Sequence, residues 1–161
     1  MDLGASAAFV SEHAERAIST TPPRNSQAKF LDSQLVKGIV ISGLSLFAAV
    51  FSSYLYALTL NLSLEQAQTF AFAAWIIGHI VLAYVSRSEV EPLTKIGIFS
   101  NKIVNLWAIA AVSFLLIAVA IPSIGERLKV SFLGIDQLMI ILGLSLPFIA
   151  WLEVRKFKSS C

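Results

Sequence analysis

Four stretches of this chain contain no aspartate, glutamate, lysine or arginine. Gly38 to Leu64 runs 27 residues without one, Gln66 to Ser86 runs 21, Ile103 to Gly125 runs 23, and Gln137 to Leu152 runs 16. Charged residues are 14% of the 161, where a soluble domain carries about 25%. Cysteine is nearly missing too. The single one is Cys161, the last residue, so an internal disulfide is excluded. The two histidines, His13 and His79, stand far apart, and no cysteine or histidine cluster has metal-site spacing. No glycine-rich loop suited to cradling phosphate is present. No serine, histidine and acid arrangement is available either, because His13 lies in a polar stretch and His79 in an apolar one. Catalysis by this chain alone is therefore not expected, and no cofactor is implied. A net charge of +2 without a basic-aromatic pattern excludes nucleic acid as the natural partner.

What the chain does have is apolar side chains, 57% of the total. A helix needs about 20 mostly apolar residues to cross a bilayer, with a range of about 17 to 25. Three of the charge-free runs meet that length. The fourth reaches only roughly 24 Å at about 1.5 Å per residue, and Ile135, Asp136 and Glu153 extend it into the headgroups. A soluble bundle would need a polar face on each helix, and these runs offer none. The expected fold class is all-α: a polytopic, multi-pass membrane protein whose partner is the lipid bilayer. Its four-helix transmembrane bundle follows a polar N-terminal segment. The spans fall at about 36–62, 66–86, 103–123 and 135–153, inside a transmembrane domain of 34–157. Residues 158–161 form a tail. The first ten residues lack the basic start and the long apolar core of a secretory signal.

Lysine and arginine set the orientation. With four spans, Arg16, Arg24, Lys29, Lys37, Arg87, Lys95, Lys102, Arg155, Lys156 and Lys158 share one side, and Arg127 and Lys129 lie on the other. Ten against two puts both termini in the cytoplasm.

Several local patterns refine this outline. Residues 11–33 are polar and include STTPPRNS, where adjacent prolines disfavour helix. In the first span Ser45, Ala49, Ser53 and Ala57 recur every four residues. That ridge is either a seam where another helix approaches closely or a chance result of the abundance of small residues in membrane helices. The link NLSLEQ is short enough only for a tight hairpin, and Ser63 with Gln66 resembles a capping box. The second span places Ala67, Ala71, Ala74 and Gly78 on roughly one side. Its other side carries Gln68, Phe72, Trp75, His79 and Ser86, a polar and aromatic stripe at helical spacing. Trp107 stands one turn into the third span, as an interfacial anchor would. Pro122 and Gly125 end that span, and Pro147 lies within the fourth.

Taken in order, four stretches resemble the C-terminal transmembrane region of P-type cation-transporting ATPases, in the calcium-pump-like branch. MDLGASAAFV followed by PPR is similar to the end of that family's sixth helix and the loop after it. QAQTFAFAAWIIGHIVLAYVSRSE resembles the eighth helix, IGIFSNK the lead into the ninth, and SLPFIAWLEVRKF the tenth, with Pro147, Glu153 and Lys156 in the expected places. The likeness runs from about residue 1 to 157 and implies that the four spans correspond to helices seven to ten of such a pump. It makes residues 1–33 the remnant of a preceding helix plus a cytoplasmic linker, and it makes the chain a fragment: a split pump, a truncated gene product or a descendant of a pump's end.

The resemblance also implies a function and two positions. The chain would be the C-terminal membrane module of a pump, supporting cation transport only together with the catalytic and upstream transmembrane parts. The DKTG and TGE motifs of phosphorylation and dephosphorylation do not occur in it. The partner would be the remaining part of a P-type ATPase. The alternative is a stand-alone, non-catalytic membrane protein that binds or regulates an intact pump. Asp2 matches the aspartate of the sixth-helix cation motif, with Met1 in place of the threonine before it. His79 matches an eighth-helix position that is acidic in some calcium pumps. Calcium prefers several hard oxygen ligands, so imidazole there puts a second calcium site in doubt. His79 keeps three readings: a residue on a cation or proton route, an interhelical hydrogen-bonding residue, or an interfacial one.

The orientation can be read directly by cysteine labelling. A membrane-impermeant thiol reagent should modify Cys161, and a cysteine introduced at Ser86 in a Cys161→Ser background, from the same face of the membrane. Labelling of the two from opposite faces would remove the four-span arrangement.

Overall fold

The computed structural model describes Val10, residues 33–88 and residues 91–159, with side chains omitted at Gln34 and at 157–159. Among these residues there are six helices and no strand. They are α1 (Ser33–Thr59), α2 (Leu64–Val85), α3 (Leu93–Ile96), α4 (Lys102–Ala120), α5 (Pro122–Leu128) and α6 (Ile135–Ser159). Four of them are long and apolar enough to cross a membrane: Leu35–Thr59, Leu64–Val85, Lys102–Ala120 and Ile135–Lys156. The chain is an all-α, multi-pass membrane protein. Asp2, and the rest of the stretch likened to a preceding helix and its linker, lie outside the described residues apart from Val10 and Ser33.

The helix ends follow local chemistry. Ser63 caps α2 by accepting from the Gln66 N–H at 3.2 Å, while the Gln66 side chain accepts from the Ser63 N–H at 3.2 Å. This reciprocal box satisfies two of the amide donors that a helix start leaves open. Asn61, in the left-handed region at φ 55, turns the chain between α1 and α2. Asn101 caps α4 by accepting from Ile103 and Val104 at 3.0 and 3.1 Å. Pro122 opens α5, at the first-turn position where a missing N–H is harmless. α6 runs unbroken through Pro147, and both Pro147 and Gly143 are exposed. The ring there cannot donate to the Gly143 carbonyl four residues earlier.

α2 is the hub. It packs against α1 and α6, which also pack on each other, and more lightly against α4, on which α5 folds back. The small-residue ridge of α1 is a packing seam: Ala49, Ser53 and Ala57 are completely buried and Ser45 nearly so. The two serine hydroxyls donate to backbone carbonyls one turn back, Ser45 to Ile41 at 2.8 Å and Ser53 to Ala49 at 2.9 Å. Burial thus leaves neither as an orphaned donor. On α2 small residues are also buried, Ala67, Ala74 and Gly78 along one side and Ala73 on another. A Cβ on Gly78 would come within 2.5 Å of the Leu46 side chain and 3.1 Å of the Ile149 side chain, so three helices meet at this glycine. Bulky apolar residues point the other way. Leu44, Phe47, Leu106, Ile109 and Met139 are largely exposed, and Phe47 stacks on Phe51 at 5.4 Å. In hydrocarbon such a surface is at home.

At the end of the bundle holding the α1–α2 link, the crossing from α5 to α6 is tied to α2. The Ser131 N–H donates to Thr69 Oγ1 at 2.9 Å, and Val130 and Leu133 are buried beneath α2. Gly125 permits this turn, because a Cβ there would stand 2.6 Å from the Val130 carbonyl oxygen and 3.2 Å from that of Ala118. Both obstacles are backbone and cannot rotate away. Gly125→Ala should therefore cost about 1–3 kcal/mol by overpacking. Gly143→Ala meets nothing within 4 Å and should be neutral or stabilising, since alanine is the better helix former by up to about 1 kcal/mol. Unfolding of the chain in mixed detergent micelles, followed by circular dichroism, measures both.

Candidate functional site

The stripe on α2 forms one half-open face. Gln68 is exposed, Phe72, Trp75 and His79 are half-buried, and Ser86 is exposed beyond the helix end. Phe72 lies against Trp75 with ring centres 6.4 Å apart and meets Phe114 of α4 edge-on at 6.4 Å. Trp75 in turn contacts His79, at 4.6 Å and 63° between planes. His79 Nδ1 sits 3.0 Å from the Trp75 carbonyl oxygen. A carbonyl only accepts, so Nδ1 carries the proton, and in the neutral ring the lone pair belongs to Nε2. The side chain is thus held by its own helix and by an aromatic neighbour. Among the described residues no group of three histidine, cysteine or acidic side chains comes together to hold a metal ion. His79 therefore stands apart from any ligand set there, and Asp2 lies outside the described residues.

A second polar constellation lies at the end of the bundle where α2 finishes, and here the charges turn inward. Arg87 is 5% exposed. Its guanidinium donates to the carbonyls of Gly97 at 2.9 Å and Ile98 at 2.7 Å, and to Ser100 Oγ at 2.5 Å. Lys156 is 8% exposed, and its ammonium donates to the Val85 carbonyl, in the last turn of α2. That end carries the negative pole of the helix dipole, which favours a cation. Glu153 accepts from the Leu93 N–H, at the start of α3, through Oε1. Its Oε2 stands 3.0 Å from Lys156 Nζ, an ion pair without the alignment of a hydrogen bond. Nearby, Tyr84 donates to Asn105 Oδ1 at 2.8 Å and joins α2 to α4.

Sequence reasoning treated Arg87, Glu153 and Lys156 as charges marking where the chain leaves the membrane. Their inward turn was not foreseen. The one available signal was the i,i+3 spacing of Glu153 and Lys156, which puts opposite charges on one face of α6. On the outer side of the same helix, Arg155 lies over the Trp151 ring at 5.1 Å, and the Trp151 indole donates to Ser45 Oγ at 3.1 Å.

Removing one member of a buried pair strands the other charge. Lys156→Met should destabilise the chain by about 3 kcal/mol. Adding Glu153→Leu should cost less than the sum of the two single changes, because the members of one network couple. A double-mutant cycle of detergent unfolding measures this coupling, and strict additivity would show that the pair contributes nothing.

Comparison with known proteins places the fold. Residues 1–158 match the family described as "Cation transporting ATPase, C-terminus". The chain is also similar to proteins named calcium-transporting ATPase type 2C member 1, from Homo sapiens, Mus musculus and Pongo abelii. It is 22% identical to each over 134 residues, which is 83% of this chain and 15% of theirs. The chain thus spans about 15% of the length of these curated relatives. Four apolar helices in sequence, and a match from the first residues to residue 158, have one meaning: this chain belongs to the C-terminal transmembrane family of P-type cation-transporting ATPases.

Proposed function

We propose that the chain serves as the C-terminal membrane module of a cation-transporting ATPase and supports transport only together with the catalytic and upstream transmembrane parts of such a pump. The observation that carries this reading is the family match over residues 1–158, beside relatives of which the chain spans about 15%. In this reading both termini face the cytoplasm, which the ten-to-two division of basic residues supports. The half-open face of α2 turns toward the missing helices. A polar and aromatic stripe is poorly suited to lipid, and an ionisable residue within a span is best accommodated facing a bundle interior or cavity. Asp2 and His79 are then candidate positions on the cation route. His79 offers one nitrogen lone pair rather than a carboxylate, which favours a supporting role over primary coordination of a hard cation.

The second reading, a stand-alone partner that regulates an intact pump, has one observation in its favour. α1, α2 and α6 bury a continuous small-residue seam among themselves, and the charges at the end of α2 are matched within the chain. The bundle can therefore hold together by itself.

Co-expression separates the two. Supplied with the upstream part of a P-type pump, the chain should restore ATP-driven cation uptake into vesicles. In that assembly His79→Leu should raise the cation concentration for half-maximal uptake by about tenfold, the equivalent of one lost polar contact. Failure of the parts to associate removes the module reading. Altered activity of an already complete pump on adding the chain favours the regulator.

A further inference from the structure

We propose that the segment 91–100, between α2 and α4, is a preformed docking surface for anionic phospholipid headgroups. Ile98 and Phe99 enter the edge of the hydrocarbon, and Lys95 and Lys102 meet the headgroup charge. The inference goes beyond the pump reading and requires only the four-span membrane fold.

Position comes first. α4 has 19 residues, about 28 Å of helix, and the hydrocarbon core is about 30 Å thick. The helix has no length to spare, so Lys102 at its start lies at the boundary. The backbone at residue 99, three residues earlier, lies in the headgroup layer, within reach of the hydrocarbon edge for the exposed Phe99 ring. The lysines are near enough to that layer to attract anionic lipid, and this holds for either leaflet.

Rigidity comes second. The segment is tied to three membrane-spanning helices. Glu153 of α6 takes the Leu93 N–H, and Arg87, just beyond α2, grips the Gly97 and Ile98 carbonyls and Ser100. Asn105 of α4 donates to the Phe99 carbonyl at 2.9 Å, and Ser88 Oγ accepts from the Glu91 N–H at 2.8 Å. Gly97, at φ +83, makes the bend that aims both carbonyls at Arg87. A surface fixed in this way loses little conformational freedom on binding.

What the fixed backbone presents comes third. Lys95 and Lys102 are exposed, Ile98 is 44% exposed and Phe99 is 76% exposed. A buried arginine thus holds a loop whose most prominent group is a bare phenyl ring. In water that ring gains nothing. Against acyl chains it leaves water, while the lysines on either side pair with phosphate. The ligand that supplies both is a phospholipid with net negative charge.

Two measurements on the full chain test this. In detergent micelles mixed with palmitoyl-oleoyl phosphatidylglycerol and phosphatidylcholine, native mass spectrometry should show a preference for the anionic lipid. The preference should fall about tenfold in Lys95→Gln/Lys102→Gln, since each basic group at the surface contributes separately. Arg127→Gln/Lys129→Gln, at the opposite end of the bundle, should leave most of it. A nitroxide on Phe99→Cys, in a Cys161→Ser background and phosphatidylglycerol nanodiscs, should collide more with oxygen than with a water-soluble nickel chelate. An unchanged preference in the Lys95/Lys102 variant would overturn the proposal. So would a residue-99 label freely reached by nickel, or one shielded from both quenchers by a bound protein.

Discussion

Hydrocarbon gives apolar side chains no reason to prefer one another, and that constraint governs this molecule. A helix studded with leucine and phenylalanine is as content in lipid as against a neighbour, so the contacts that define the bundle come from elsewhere. They come from close approach, where small residues let backbones near each other, and from polar groups that lipid cannot satisfy. Ser45, Ala49, Ser53 and Ala57 on α1 and Ala67, Ala74 and Gly78 on α2 are all buried, and at Gly78 the side chains of Leu46 on α1 and Ile149 on α6 leave no room for a Cβ. Many of the large side chains, Leu44, Phe47 and Leu106 among them, are on the outside instead, and those that are buried, such as Phe70, Ile76, Ile141 and Ile149, fill the space between helices.

The polar contribution is concentrated at one end. Arg87, Glu153 and Lys156 are charges at the edge of the membrane, yet each is turned toward backbone groups of the chain itself. They link the finish of α2, the start of α3 and the last span into one unit. The opposite end depends on backbone fit, with Gly125 under the Val130 carbonyl and Ser131 bonded to Thr69. The half-open face of α2 lies between these two ends. The fold leaves a polar, aromatic stripe with His79 at its centre only partly covered.

Much of this was legible in the sequence. Charge-free runs define four spans because a charge in hydrocarbon is costly wherever the chain places it. The Ser63–Gln66 box was legible because capping is local and needs only two residues three apart. The ridge on α1 could be seen as a pattern, but its meaning depended on whether α2 offered small residues at the same depth, which is a matter of register between helices. The inward turn of Arg87 and Lys156 was not legible. Nothing adjacent to either residue distinguishes a buried cation from a headgroup anchor, since the difference lies in the Gly97 and Val85 carbonyls that the fold brings to them. For His79 the stripe was legible and the Trp75 carbonyl contact follows from helical spacing, but what else faces the ring depends on how the helices pack, which no local pattern records.

The bond between Lys156 and Val85 joins positions 71 residues apart. The Leu82 and Tyr84 carbonyls at the end of α2 are met locally by the Ser86 and Arg87 N–H groups, whereas the cation that reaches the Val85 carbonyl is supplied only by the last span. The contact therefore forms only once the last span has been laid against α2, and it reports on the closure of the whole bundle rather than of any one helix.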